Sequence, residues 1–114
     1  MIKSAVTFFR KQIGLRGKTQ HNGRGAFEMS FEDGITVDNL VNTSRNVMNS
    51  LKSKGMLEMF EEDEQTIKFV LRDDLFNSTC STEFTGKNQS YRKIVVLKQP
   101  VFGKPYAYVG MTFL

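Results

Sequence analysis

The sequence predicts an α+β fold in which a mostly antiparallel sheet of four to five strands packs on one long helix. Three observations support this prediction: a helical stripe of apolar residues over 36–54, alternating or fully apolar segments on both sides of it, and short turns that join these segments. A chain of 114 residues has room for one hydrophobic core. Residues 1–114 are therefore expected to form a single domain.

The N-terminal part of the chain predicts a short helix, a loop and a strand. Over 3–13, apolar side chains recur at helical spacing among basic ones, and Gly14 follows, which predicts a short basic helix. Residues 14–25, GLRGKTQHNGRG, combine four glycines with basic side chains and one apolar residue, which predicts a mobile loop. Residues 26–32 alternate strictly and predict a strand with the apolar face Phe27, Met29 and Phe31.

The long helix is predicted over 36–54, where Thr36 is a suitable N-cap and Gly55 a suitable C-terminal residue. Six apolar residues and one serine form its stripe: Val37, Leu40, Val41, Ser44, Val47, Met48 and Leu51. Two strands, 56–60 and 66–72, follow as a hairpin that is joined by an acidic turn.

The C-terminal part predicts a long polar loop over 73–90 and a second hairpin with strands 91–98 and 106–114. The last strand is apolar on both faces. Such a strand is normally central in a sheet, or it lies at an edge that a partner subunit covers. A homodimer is therefore expected.

The composition excludes several classes of protein. Cys80 is the only cysteine, which excludes an internal disulfide and favours a reducing, cytoplasmic location, and no apolar run is long enough for a membrane span. With His21 as the single histidine, we expect neither a metal site nor a cofactor, and no enzymatic activity. The remaining enzymatic hypothesis is a metal-free nuclease that acts through Tyr91 and Arg92.

The charges are strongly segregated along the chain. Residues 1–26 carry a net charge of +6, residues 27–83 carry −7 and residues 84–114 carry +5, although the whole chain is only +4. Two basic ends without acidic neighbours in sequence are typical of a surface that neutralises phosphates. We therefore expect a small nucleic-acid-binding protein, for DNA or RNA, that uses its N-terminal segment and its C-terminal hairpin.

The candidate nucleic-acid-binding residues come from both basic ends: Arg10, Lys11, Arg16, Lys18, Arg24, Arg92, Lys93 and Lys104. The glycines of 14–25 leave backbone N–H groups open to phosphates beside the basic side chains. In a regular strand, Tyr91 and Lys93 share one face and Arg92 lies on the other. With Tyr106 and Tyr108, this hairpin is expected to carry a basic and aromatic stripe on which bases stack.

Two alternatives remain open. In a winged-helix arrangement, 44–54 is a separate recognition helix, 56–72 is the wing, and the groove-facing residues are Arg45, Asn46, Asn49 and Lys52. The unbroken apolar stripe and the acidic wing tip oppose it. The second alternative is a protein-interaction module, a small regulator or inhibitor whose segregated charge directs it to a host or partner protein.

Overall fold

Two α-helices and six strands form the part of the chain that the computed structural model describes, residues 2, 4–76 and 91–112. The helices are α1 (Ala5–Ile13) and α2 (Val37–Ser53). The strands are β1 (Gly17–His21), β2 (Ala26–Phe31), β3 (Leu57–Glu62), β4 (Thr66–Leu71), β5 (Tyr91–Leu97) and β6 (Ala107–Met111), and a short 3-10 helix (Asp73–Leu75) follows β4. Cys80 and residues 77–90 of the predicted polar loop lie outside the described residues.

The strands form one open sheet in the order β1-β2-β6-β5-β4-β3, and every neighbouring pair is antiparallel. This confirms the α+β class and both predicted hairpins. The strand β6 lies between β2 and β5, so its two apolar faces are explained by a central position within the chain itself. The pairing of β2 with β6 also joins the N-terminal half of the sheet to the C-terminal hairpin.

The sheet has one more strand than predicted because β1 forms inside the segment 14–25, which was expected to be a loop. Its sequence, GKTQH, has no apolar alternation, and the strand is held by backbone pairing with β2. A Cβ atom at Gly17 would lie 1.9 Å from the Ser30 carbonyl oxygen, so only glycine permits this close approach. The Arg10 side chain also donates to the Lys18 carbonyl and to the Thr19 hydroxyl.

The helix α2 runs without interruption through 43–45, so the winged-helix arrangement is not confirmed. Its N-terminus is a capping box, in which Thr36 and Asn39 exchange side-chain to backbone hydrogen bonds of 3.0 Å. The predicted stripe is the buried face, and Ser44 within it is fully buried. Because no turn separates a first helix from a second, 44–54 is not an independent recognition helix.

Both helices pack on one face of the sheet, the helix face, whose core residues include Phe27, Met29, Phe69, Ile94 and Val109. The opposite face is called the outer face here. Strand alternation and the register place polar, basic and tyrosine side chains of β1, β2, β6 and β5 on it: Lys18, Gln20, Glu28, Ser30, Tyr108 and Lys93.

A bulge in β5 corrects the predicted stripe on the C-terminal hairpin. Tyr91 lies opposite Met111 and Lys93 lies opposite Gly110, so Arg92 is an extra residue and Tyr91 and Lys93 point to opposite faces. Tyr91 therefore packs on the helix face against Phe27, with ring centroids 5.0 Å apart. Lys93 alone of the two lies on the outer face.

Candidate nucleic-acid interface

The two basic ends of the chain meet on the outer face. β1 and its turn to β2 belong to the basic N-terminal segment, and β5 and β6 belong to the basic C-terminal segment. The pairing of β2 with β6 makes these two segments neighbours in the sheet. Two grooves on this face are lined by cations of both origins. The first groove carries Lys18 and Lys104, and the second carries Arg24 and Lys93.

The first groove has a volume of about 510 Å³ and is lined by Lys18, Glu28, Phe102, Lys104 and Tyr106, among others. The Tyr106 hydroxyl donates a hydrogen bond to the Glu28 carboxylate. Burial, followed by this hydrogen bond and the negative charge of Glu28, raises the pKa of Tyr106 above its ordinary value of 10.0. The carboxylate and the tyrosine therefore form a bonded pair in the groove that the two lysines also line.

The second groove has a volume of about 250 Å³ and is lined by Arg24, Ala26, Lys93, Tyr108 and Gly110, among others. A Cβ atom at Gly110 would lie 3.4 Å from the Tyr108 ring, which is an ordinary van der Waals contact, so the ring packs beside the backbone of Gly110. The Asn22 side chain accepts a 2.7 Å hydrogen bond from the Arg24 backbone N–H and shapes the turn that carries Arg24.

The charge balance of the two grooves is positive. Among the described residues that line them, four are cations and one, Glu28, is a carboxylate that is already bonded to Tyr106. Five acidic residues lie at the other end of the sheet, on β3 and its turn to β4: Glu58, Glu61, Glu62, Asp63 and Glu64. The order of the strands therefore places the cation-lined grooves towards the β1 edge of the sheet and this acidic cluster at the β3 edge.

Two of the predicted cations serve the fold instead. Arg92 is 1% exposed, and it donates a 2.8 Å hydrogen bond to the Leu71 carbonyl and pairs with Glu58 at 3.3 Å. Arg10 donates to backbone carbonyls of β1 and β2 and lies over the Phe31 ring, 5.1 Å from its centroid. Burial lowers the pKa of the Arg10 guanidinium.

Lys11 and Arg16 are exposed but lie away from the two grooves. Lys11 lines a separate hollow with Phe8 and Met56, and Arg16 lines another with Glu32. The structure thus brings together Lys18, Arg24, Lys93 and Lys104 and leaves the other four predicted residues apart from them.

The residues of the winged-helix alternative lie on α2. Arg45 forms a 2.7 Å ion pair with Glu62 of β3, and the Lys52 ammonium lies 4.5 Å from the centroid of the Phe60 ring. Asn46 and Asn49 are exposed on the same helix. Both cations are therefore engaged in holding the helix to the sheet.

The residues that the sequence offered for catalysis or metal binding, Tyr91, Arg92 and His21, are not grouped as an exposed site. Tyr91 is 3% exposed, its hydroxyl lies 3.2 Å from His21 Nε2, and Arg92 is buried, so neither nuclease candidate is presented to a substrate. His21 lies on β1 with its ring against Phe27, 4.7 Å between centroids, rather than in a loop. Over residues 2, 4–76 and 91–112, no three His, Cys, Asp or Glu side chains are grouped to hold a metal ion.

Phe102 is a residue of the first groove that the sequence pattern does not reveal. It lies in a two-residue turn between Val101 and Lys104, whose backbones exchange hydrogen bonds of 2.8 and 3.1 Å. Such turns are marked in sequence by Asn-Gly or Asp-Gly, and here the pair is Phe-Gly. The glycine is the only conventional signal, and it does not distinguish a functional aromatic residue from a loop residue.

The described helices include none that is long and apolar enough to span a bilayer. The outer face of β1, β2, β6 and β5, with its two cation-lined grooves and the tyrosines between them, is the candidate functional site. No protein-family model, no curated protein and no solved structure matches the chain.

Proposed function

We propose that the protein binds nucleic acid through the outer face of β1, β2, β6 and β5. Lys18, Arg24, Lys93 and Lys104 neutralise phosphates of the bound strand, and Tyr106 and Tyr108 lie between them. The observation that carries this proposal is the meeting of cations from both basic ends of the chain in two neighbouring grooves. Among the described residues that line the two grooves, the only carboxylate is that of Glu28, which accepts a hydrogen bond from the Tyr106 hydroxyl.

The shape of the site favours an elongated polyanion. The two grooves follow each other along β6, where the four steps from Tyr106 to Gly110 span about 13 Å, and the Tyr106 and Tyr108 rings are 6.0 Å apart between them. A string of phosphates meets separated cations along such a path, whereas a single small anion would occupy only one groove. A homodimer stays a prediction, and it would double the number of phosphates contacted.

The test is the salt dependence of binding to labelled oligonucleotides, measured by fluorescence anisotropy. Contacts to four phosphates predict that log K falls with log of the salt concentration with a slope of about −3 for a single strand. The double variant Lys18→Gln, Lys104→Gln should weaken binding and make the slope shallower by about 1 to 1.5. The matched control is the double variant Lys11→Gln, Arg16→Gln, which also removes two exposed cations, both outside the grooves, and should leave the slope unchanged.

Two results would overturn this proposal. One is the absence of oligonucleotide binding at low salt, in which case the same cationic face is better assigned to an acidic protein partner. The other is an equal effect of the Lys18, Lys104 variant and of the Lys11, Arg16 variant, because that result would mean that net charge rather than the outer face determines binding.

A further inference from the structure

The tip of the β5 to β6 hairpin holds a phenylalanine in an unusual state. Phe102 is 101% exposed and has a φ of 52°, and Gly103 beside it has a φ of 76°. It is the single non-glycine residue with positive φ among the described residues. Left-handed backbone is disfavoured for a bulky aromatic residue, and turns of this kind prefer asparagine or aspartate at the first position.

The fold itself gives no reason for an aromatic side chain at this position. A fully exposed ring contributes no burial to the core, so no hydrophobic gain offsets the strained backbone of Phe102. The turn would form more favourably with asparagine in its place. A fully exposed ring on a residue with a strained backbone is therefore explained best by a ligand that the ring contacts.

The neighbours of Phe102 identify the chemistry of this ligand. The ring borders the first groove, whose other lining residues include Lys18, Lys104 and the bonded pair of Tyr106 with Glu28. A flat aromatic group that is joined to a phosphate matches this set, because the ring offers stacking and the two lysines offer charge. A nucleotide with an unpaired base has both parts, whereas a duplex keeps the faces of its bases stacked inside.

We infer that Phe102 is a stacking platform for an unpaired base, with the adjoining phosphates held by Lys18 and Lys104, and that the protein binds single strands in preference to duplexes. This inference rests on the proposed function and specifies its ligand class. The Glu28 carboxylate lies in the same groove and can accept a hydrogen bond from an exocyclic amino group of the stacked base.

The chain has no tryptophan, so Phe102→Trp places a single indole at the site. The variant is titrated with a deoxycytidine oligomer of about 12 nucleotides, whose bases carry an exocyclic amino group and whose length is within the range bound by small sheet folds. The expected result is saturable quenching of the indole by the single strand and much weaker quenching by a duplex of equal phosphate concentration. Equal quenching by both, or binding in anisotropy without quenching, would contradict the inference.

A second variant separates binding from folding. Phe102→Asn removes the ring but suits the turn, so its melting temperature should equal or exceed that of the unmodified protein, while its single-strand affinity should fall about 5- to 150-fold. Phe102→Tyr keeps a ring and should restore the affinity. If Phe102→Asn binds as tightly as the unmodified protein, the stacking role is wrong even though salt-dependent binding stands. If the unmodified protein does not bind at low salt, the proposed function itself fails.

Discussion

Tyr106 forms a hydrogen bond with Glu28, the only carboxylate among the described residues that line the two grooves. Its hydroxyl donates to Glu28, and both side chains line the first groove, as do Lys18 and Lys104. With the tyrosine neutral, Glu28 contributes its single negative charge and the grooves keep an excess of cations. Burial raises the pKa of Tyr106 most, and the hydrogen bond to Glu28 and the negative charge of that carboxylate raise it further.

This arrangement predicts a specific loss of stability in alkaline solution. Because the folded state holds the Tyr106 proton more tightly than the unfolded state, the contribution is fully present below pH 10.0, the ordinary tyrosine pKa, and declines as the pH rises above it. One proton held in this way gives a slope of up to about 1.4 kcal/mol per pH unit. Urea denaturation should show a shallower alkaline decline for Tyr106→Phe. Identical declines for both proteins would rule out this role of the hydroxyl.

At the same scale, the sequence could identify which residues are cations but not what each cation contacts. Lys18, Arg24, Lys93 and Lys104 were predicted from charge, and the structure places them in the grooves. Arg92 was predicted by the same reasoning and lies buried against a backbone carbonyl. An arginine that satisfies a carbonyl and one that awaits a phosphate have the same sequence signature, because partners distant in the chain determine the difference.

Among the elements, α2 is fixed to the sheet through Glu62 at the end of β3. This carboxylate pairs with Arg45 of α2 at 2.7 Å and with Lys98 beyond β5 at 2.6 Å. The hydrogen bonds from Arg45 and then Lys98 lower the pKa of Glu62 to about 2. One side chain thereby connects a helix with two strands that are not neighbours in the sheet.

The Glu62 contacts predict an acid-sensitive contribution to stability. With a folded pKa of about 2 and an ordinary value of 4.5, the contribution is present above pH 4.5 and is lost as the pH falls towards 2. Glu62→Gln should lower the free energy of unfolding by about 1 kcal/mol at neutral pH. The difference from the unmodified protein should disappear near pH 2, as measured by urea denaturation.

Glu61→Gln is the matched control, since Glu61 is the neighbouring exposed carboxylate on the other face of β3. It should change stability by less than about 0.5 kcal/mol at neutral pH. An equal loss in both variants would assign the effect to net charge and not to the contacts of Glu62.

The elements that the sequence predicted well are those with apolar periodicity. The apolar stripe of α2 and the apolar alternation in β2 and β4 indicate which face of each element is buried. These three elements form close to their predicted bounds. The strand β1 has no apolar alternation in its sequence, because this edge strand needs only backbone hydrogen bonds and space at Gly17. The reversal of Tyr91 was also unpredictable, since a bulge depends on the partner strand.

For the whole molecule, the sheet order determines both stability and the position of the charges. β6 is hydrogen-bonded on both sides, to β2 and to β5, and it is the only link in the sheet between the β1 and β2 pair and the other three described strands. The same link brings the two basic blocks of sequence together, while the acidic cluster of β3 and its turn lies at the far edge. The three charged blocks are visible in the sequence, but the strand order, which depends on pairing between distant segments, determines which of them become neighbours.

Removal of 106–114 is therefore expected to unfold the domain and not merely to weaken binding. The deletion removes the fully buried Ala107 and Val109 and exposes the facing edges of β2 and β5. Circular dichroism during heating should show no cooperative transition for the shortened chain. A cooperative melt would mean that the remaining strands form a stable core without β6.

The bulge at Arg92 has a counterpart in β3, where Glu58 is the extra residue between Leu57 and Met59. The strand β4 runs between these two strands, and the extra residues pair with each other beside its end at Leu71. β3 thus accommodates an insertion of one residue relative to β4, and β5 accommodates one relative to β6. The two inserted residues lie side by side and have opposite charges. A chain that lacked both residues would keep the strand register and both faces of the sheet. A chain that lacked only Glu58 would leave the buried Arg92 guanidinium without its carboxylate.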